Sequence, residues 1–571
     1  MKNREIARIF HATADILEIL DANRFRINAY RRAARVIEDL TVDVAELAAS
    51  DELTGLPGIG QGTADAIVDY LDTGKMPGYE SVRQEIPPKL AELLEIPGLG
   101  PKTIGMLWRE LNVRTLRQLK RALRSKRILE LPGMGAKKVL KIQNGVRAYE
   151  SRSGRTLLGT ALPVADDIVE LLRGVKGVKD VSLAGSARRW RSTIGDLDIL
   201  VTGSDPEAVV DAFVGMEGVA EVLASGPTKA SVRMSDALQI DLRVIAAAEW
   251  GAALMYFTGS KEHNVRLRTL ARKRDLKLSE YGLFSGEDRV AAKTEKAVYR
   301  KLGMPWIAPE LREDRGEVEA ALARNLPALV TSEDIRGDLH HHTSWSDGFA
   351  SIEDVARAAK RRGYEYIIIS DHSQSLSIAN GLSEERLLEQ GEEIGRINKK
   401  LRGIRILKGT EADIRSDGTV DYPDEILAGL DIVIASIHSG FEQSEERITG
   451  RIISAMENPN VDIIGHPTGR LIERREAYAV DLDAVMRAAV ETGTALEINC
   501  HDERVDLNDI NARRAAEMGV MLSLGTDSHD PSQAWMMDIG VHTARRAWLA
   551  PQSILNTMSR KALLKHMSRS A

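Results

Sequence analysis

Beyond residue 336, short apolar runs alternate with helical stretches, and each run breaks off at a residue able to bind a cation. Ile367–Ile369 leads to His372, Ile404–Leu407 to Glu411, Ile432–Ile437 to His438, Val461–Ile464 to His466, and Met521–Leu524 to Asp527 and His529. With Gly337–Thr343 and Ala495–Asn499 they make seven predicted strands, separated by helical segments such as Ser351–Arg362. Continuous apolar strands with helices between them are buried on both faces, as in a parallel sheet. If that sheet closes into a barrel, functional groups gather at the C-terminal strand ends, where these polar residues fall. Alternation along Gly337–Thr343 sends His340 and His342 to one face and His341, a bystander, to the other.

The first part of the chain is patterned differently. Helical stretches there are joined by the turn apolar-Pro-Gly-apolar-Gly, which occurs three times, at Leu56–Gly60, Ile96–Gly100 and Leu131–Gly135. Its glycines (Gly58, Gly60, Gly98, Gly100, Gly133 and Gly135) leave backbone N–H groups open at a helix start. Unpaired donors and the helix dipole favour a phosphate at such a place. Further on, Leu238, Ile240, Leu242 and Val244 form the inward face of a predicted strand with Asp241 on the other, and Asp196 and Asp198 share one face of a second strand.

Length and composition narrow the setting. A chain of 571 residues is long enough for several domains and needs no covalent staples. Its single cysteine, Cys500, cannot form an intramolecular disulfide, points to a reducing compartment, and is read as a packed small residue. Met1–Phe10 offers no apolar signal segment and no run approaches a membrane span, so a cytoplasmic protein with no membrane partner is expected, as a monomer. A net charge of −6 argues against a nucleic-acid partner, yet Arg114–Arg127 holds seven basic residues and no acidic one. Beside three phosphate-gripping turns, that run points to DNA-backbone binding that ignores base sequence and weakens with salt.

Two sets of side chains carry chemistry. His340, His342, Asp347, His372, Glu411, His438, His466, Asp527 and His529 suit two or three divalent cations, Mn²⁺ as readily as Zn²⁺. Paired cations can activate water for hydrolysis without a separate protein base. His501, His542 and His566 lack an equivalent position and are read as structural. Upstream, Gly185 and Ser186 can meet a phosphate, Arg189 can add charge, and Asp196, Asp198 and Asp241 can hold two Mg²⁺ ions for nucleotidyl transfer.

Two resemblances follow from these residues. The barrel segments, with Ser346-Asp347-Gly348, resemble the PHP (polymerase and histidinol phosphatase) domain over residues 336–571, with all nine ligand positions filled. That resemblance implies a distorted (β/α)7 TIM-like barrel hydrolysing phosphoesters, with 3′–5′ exonuclease, AP endonuclease or 3′-phosphatase activity. The Gly-Ser and aspartate set, Tyr256–Ser260, Asn264, Arg268, Leu278–Tyr281 and Asn28–Ala34 resemble family X DNA polymerases over residues 1–318. That implies an α+β nucleotidyltransferase palm and a thumb behind an all-α helix-hairpin-helix region, acting on gapped or primer-template DNA with deoxynucleoside triphosphates.

By the same resemblance Asp241 helps deprotonate the primer hydroxyl, and Tyr256, Phe257 and Gly259 lie beside the incoming sugar. Asn264 contacts its base, and Arg268 reaches the template minor groove. Gly62 and Ala66 stand where eukaryotic relatives carry lysines, so no deoxyribose-phosphate lyase is expected by that route, although Lys75 could act weakly. The implied division is an N-terminal helix-hairpin-helix domain at 1–88, fingers at 89–150, palm at 151–250, thumb at 251–318, linker at 319–335 and barrel at 336–571. Two alternatives stay open, an RNA nucleotidyltransferase fused to a phosphatase and a non-catalytic DNA-end scaffold.

Overall fold

The computed structural model describes residues 3–38, 44–50, 52–56, 58–87, 89–96, 98–152, 155–235 and 238–567. Its contacts separate two compact units, residues 1–154 and 155–571. Among the described residues no helix is long and apolar enough to cross a membrane.

The described elements of the first unit are helical. Asn3–Ile19 and Arg24–Glu38 pack together, burying Ile6, Phe10 and Ile37 against Ile67 and Tyr70 of the helix Gln61–Thr73. A second core gathers Ile16, Leu90, Ile104, Leu107 and Leu119. The turn glycines behave as the pattern requires. Gly58, Gly98 and Gly133 have φ of +108°, +81° and +73°, where a side chain would be strained. Gly60 and Gly100 are extended caps opening the helices Gln61–Thr73 and Pro101–Leu111, and Gly135 precedes Ala136–Arg152. Pro57 and Pro97 lie outside the described residues. In the basic run, Leu119 and Leu123 anchor the helix Leu116–Arg124 one turn apart, leaving Arg114, Arg117, Arg121, Arg124 and Arg127 exposed.

The second unit contains a five-stranded sheet, a three-stranded antiparallel sheet and a seven-stranded barrel. The five-stranded sheet runs Val178–Leu183, Asp196–Gly203, Gln239–Val244, Lys229–Met234, Val219–Gly226 across its width. Leu197, Ile199, Val201, Ile240 and Leu242 face the helices Leu158–Arg173 and Pro206–Val214 and bury Ile168, Leu172, Val209 and Phe213 with them. Period-two alternation then puts Asp196, Asp198 and Asp241 on the opposite face, where the helix Trp250–Thr258 covers Leu200 beyond them. The two aspartate strands are parallel, with Asp198 opposite Asp241.

The barrel strands are Gly337–Asp338, Tyr366–Ile369, Arg405–Asp413, Ile432–Ser436, Ile463–Ile464, Ala495–Asn499 and Leu522–Gly525, all parallel and in chain order. The first is shorter than its sequence pattern, but the chain stays paired past it and closes the ring. Asp527 N–H donates to His340 O at 3.0 Å and His342 N–H to Ser528 O at 2.9 Å. Two alternating sets of apolar side chains result. Tyr366, Ile368, Leu407, Ile432, Ile434 and Ile463 share one core, while Ile367, Ile369, Ile406, Val433 and Ala435 pack in another with the helices. The parity of the first set carries on to His372, Glu411 and His438.

Residues 319–335 are firmly docked. Leu326 and Leu329 pack on the three-stranded-sheet region, Val330 enters the barrel core, and Val330 N–H donates to Leu549 O at 3.0 Å.

A buried ion network ties the five-stranded sheet to the region after it. Arg312 is fully buried, donates to Glu295 Oε1 at 2.7 Å and to Ile307 O at 3.0 and 2.9 Å, and Arg188 grips the same carboxylate through two bonds of 2.9 Å. Burial alone would raise the Glu295 carboxyl, but Arg312 and Arg188 outweigh it and hold it well below the ordinary carboxylate range. Removing one partner of such a network strands a buried charge. Arg312→Met is therefore expected to cost about 3–5 kcal/mol, read as a shifted urea midpoint for the unit that contains it.

Candidate active sites

Eight of the nine predicted barrel ligands fall into three interlocking groups, in each of which ligand atoms lie within 4.8 Å of one another. These are His342, Asp347, His372 and His529; His340, His342 and Asp527; and His372, Glu411 and His438. The ninth, His466, brings Nε2 to 2.9 Å from Glu411 Oε1. Glu411 is the hub. Its Oε1 also lies 3.3 Å from His438 Nε2, and its Oε2 lies 2.9 Å from His372 Nδ1, 3.5 Å from His340 Nε2 and 3.7 Å from His342 Nε2.

The residues fit divalent cations. His340 Nε2 and His342 Nδ1 are buried with no hydrogen-bond partner, and the close approach of His372 Nδ1 to Glu411 Oε2 lacks hydrogen-bond geometry, although a buried polar atom left unmade costs about 1–3 kcal/mol. His466 and Asp527 adopt positive φ, +28° and +52°, at the strand ends where their side chains join the cluster. His341 is buried but joins none of the three groups, as alternation predicts. Cys500 is buried and its thiol is pushed far up by burial, the expected packed residue.

The electrostatics divide the imidazoles. Burial would lower His438 and His529, yet Glu411 beside the first and Asp347 and Asp527 beside the second carry each up to about 9. Burial with His372 and His529 alongside pushes His342 down to about 3, and burial with Arg504 also lowers His466. Despite burial, the facing imidazoles keep Glu411 and Asp527 well below the carboxylate range.

Outer residues orient these groups, and the sequence reading did not find them. Glu497 accepts from or pairs with His340 Nδ1 at 2.7 Å and accepts from His466 N–H at 2.7 Å. Asp413 sits 3.2 Å from His438 Nδ1, and Arg504 Nε lies 3.2 Å from Asp527 Oδ2. Such second partners fix tautomer and ring orientation. A carboxylate inside an apolar strand, as in Ala495–Asn499, is the signal that could have revealed Glu497.

The second candidate site lies on the face of the five-stranded sheet away from the helices Leu158–Arg173 and Pro206–Val214. Asp198 is crowded, so burial, with Asp196 and Asp241 adding repulsion, raises its carboxyl to about 7. Burial and Asp241 raise Asp196 too. Gly185, at φ +57°, passes so close beneath Asp198 that a Cβ would come within 2.2 Å of Oδ2. The Ser231 hydroxyl donates to Asp241 Oδ1, and Gln239 Nε2 does so at 3.3 Å. These carboxylates stand further apart than the barrel groups, since among the described residues every set within 4.8 Å belongs to the barrel.

Gly185 and Ser186 begin a one-turn helix, Gly185–Arg188, beside Asp198. Tyr256 and Phe257, at the end of the helix Trp250–Thr258, meet edge-on at 5.1 Å, and the Arg243 guanidinium covers the Phe257 ring at 4.6 Å. Gly259 follows with φ +58°. Asn264 Nδ2 donates to Tyr256 O at 2.6 Å, and half-buried Arg268 lies one turn further along the same helix. Arg189, read as a phosphate contact, donates to Thr258 O at 2.6 Å and pairs with Glu313 at 3.1 Å. A cavity of about 900 Å³ opens elsewhere, lined by Lys296, Arg300, Trp306, Leu326 and Arg545, and includes neither site.

Comparison with known proteins agrees with this arrangement. Residues 1–76 match the helix-hairpin-helix domain, 90–148 a SAM-like helix-hairpin-helix tandem, 253–313 the DNA polymerase beta thumb and 338–501 the PHP domain. The DNA polymerase/3′-5′ exonuclease PolX of Bacillus subtilis is 39% identical over 573 residues, covering 100% of both chains. A probable phosphatase of Caldanaerobacter subterraneus is 36% identical over 231 residues, 38% of this chain and 86% of its own. One from Syntrophotalea carbinolica is 32% identical over 229 residues, 38% and 90% of the two.

Ligand imidazoles must be neutral, so cations entering the barrel displace the protons that His438 and His529 hold. Calorimetric titration of metal-free protein with Mn²⁺ in buffers of different ionisation enthalpy should show net proton release at pH 7. That release should fade as pH passes about 9.

Proposed function

The chain belongs to the family X DNA polymerases that carry a C-terminal PHP domain, and on that premise we propose that it fills short gaps in DNA during repair and trims 3′ ends. The observation that carries this reading is the presence, in one compact unit, of an aspartate triad on one face of a sheet and a nine-ligand barrel. The likeness of residues in this region to two relatives named as probable phosphatases supports 3′-phosphatase activity as a further use of the second site, with AP endonuclease activity resting on the PHP resemblance alone. The domain division drawn from the sequence goes with this reading, as do a monomeric state and work in the cytoplasm.

On the sheet, Asp196, Asp198 and Asp241 would hold two Mg²⁺ ions, and the barrel ligands two or three Mn²⁺ or Zn²⁺ ions. Bound cations would supply charge neutralisation and activation of the attacking oxygen at both sites. The chain's own groups do the rest. Ser231 and Gln239 hold the Asp241 carboxylate still, and the missing side chain of Gly185 lets the Gly185–Ser186 turn lie directly against Asp198. Tyr256, Phe257 and Gly259 form a step beside the sugar, Asn264 steadies that step through Tyr256 O, and Arg268 extends the row toward the template. In the barrel, Glu497 and Asp413 keep His340 and His438 turned toward Glu411. The glycine turns of the first unit would grip DNA phosphates through backbone N–H groups, helped by the exposed arginines of the basic run.

A time course on a labelled gapped primer with Mn²⁺ tests the division of labour. Asp198→Ala should abolish extension and leave trimming, and His342→Ala should abolish trimming and leave extension. The converse pattern would reverse the assignment, and loss of neither activity would reject both sites.

A further inference from the structure

The turn Arg189–Arg191, which follows the Gly185–Arg188 helix, is held from the barrel. Trp190 adopts φ +53°, an uncommon conformation for a bulky residue, and its ring stacks on His542 at 3.7 Å with planes 5° apart. His542 Nδ1 in turn lies 2.8 Å from Glu310 Oε1. Arg546, four residues along the same barrel helix, donates to Arg189 O at 2.7 Å, to Glu313 Oε1 at 3.0 Å and to Asp509 Oδ2 at 2.9 Å. Glu313 also pairs with Arg189 and Arg191, at 3.1 and 3.3 Å. Arg189 then reaches Thr258 O, next to Gly259, and Arg191 N–H closes back on Ser186 O at 3.1 Å. Arg546 and Glu313 are 5% and 9% exposed, so water competes little for these contacts.

Two barrel side chains therefore set the position of both loops assigned to the nucleotide, the Gly185–Ser186 turn and the Thr258–Gly259 step. We infer that His542 and Arg546 are positioning residues for the polymerase reaction, holding the nucleotide pocket in shape from the barrel while taking no part in the barrel's own chemistry. This rests on the reading of Gly185, Ser186, Arg189 and Gly259 as nucleotide contacts.

Single-nucleotide gap filling by the full-length chain, with KM and kcat for a deoxynucleotide measured in Mg²⁺, tests the inference, with 3′ trimming followed in parallel. Arg546→Ala should raise the nucleotide KM roughly tenfold while kcat stays within about twofold, with trimming at the wild-type rate; Arg546→Lys should fall between. His542→Ala, at a partly exposed position, should raise KM less and decides the matter if Arg546→Ala costs the fold, seen as lost trimming. An unchanged nucleotide KM in the folded variants, or a loss confined to kcat, overturns the inference. Arg189→Ala separates the two levels. A raised KM there with none in the barrel variants removes only the positioning role, whereas an unchanged KM removes the underlying nucleotide assignment.

Discussion

A carboxylate buried among five imidazoles dictates how the barrel is built. Glu411 is almost wholly buried, and its two oxygens face His340, His342, His372, His438 and His466. A charge in that position is tolerable only if opposite charge surrounds it. The five imidazoles come from four strand ends, His340 and His342 from the first and one each from the ends leading to His372, His438 and His466, so the requirement reaches across much of the ring. A slip of one residue in any strand would send its ligand outward and an apolar neighbour inward. The strands can be short, two residues in two cases, because the cluster adds constraints that the ladders lack.

The sheet site follows the opposite logic. Three carboxylates crowd together there, and burial with the repulsion of Asp196 and Asp241 outweighs Arg243 and Arg189, so that Asp198 holds its proton more tightly. The cost is carried by the scaffold beneath. Leu197, Ile199, Ile240 and Leu242 lock two parallel strands over their helices, and the Arg312–Glu295–Arg188 network fastens the Gly185–Arg188 turn from the side. One site is held together by its own charges, the other by the packing under them.

These differences explain what could be read from the chain. Six barrel ligands, His372, Glu411, His438, His466, Asp527 and His529, were legible because they follow apolar runs, His340 and His342 because they alternate along one strand, and Asp347 through Ser346-Asp347-Gly348, while period-two alternation gave the aspartates a common face. The glycine turns were legible because Pro-Gly pairs demand left-handed backbone next to a helix. Glu497 was not, because an acidic residue inside an apolar strand looks like an interruption until His340 and His466 are seen beside it. Arg189 was read as adding charge beside a phosphate, and its bonds to Thr258 and Glu313 come from residues 69 and 124 positions away, beyond any local pattern. His542 was read as structural, which its stacking on Trp190 bears out, but the sequence did not say for which part of the molecule.

The docked segment 319–335 has a consequence for how such a chain can diversify. With Val330 inside the barrel core and Leu326 and Leu329 against the preceding region, the join is a shared wall, not a tether. Swapping in a foreign hydrolase at this seam would expose apolar surface on both sides, orphan the Glu310 carboxylate, and take from Glu313 one of its three arginine partners. The two catalytic halves are thus bound to drift together, each change at the seam answered by another across it.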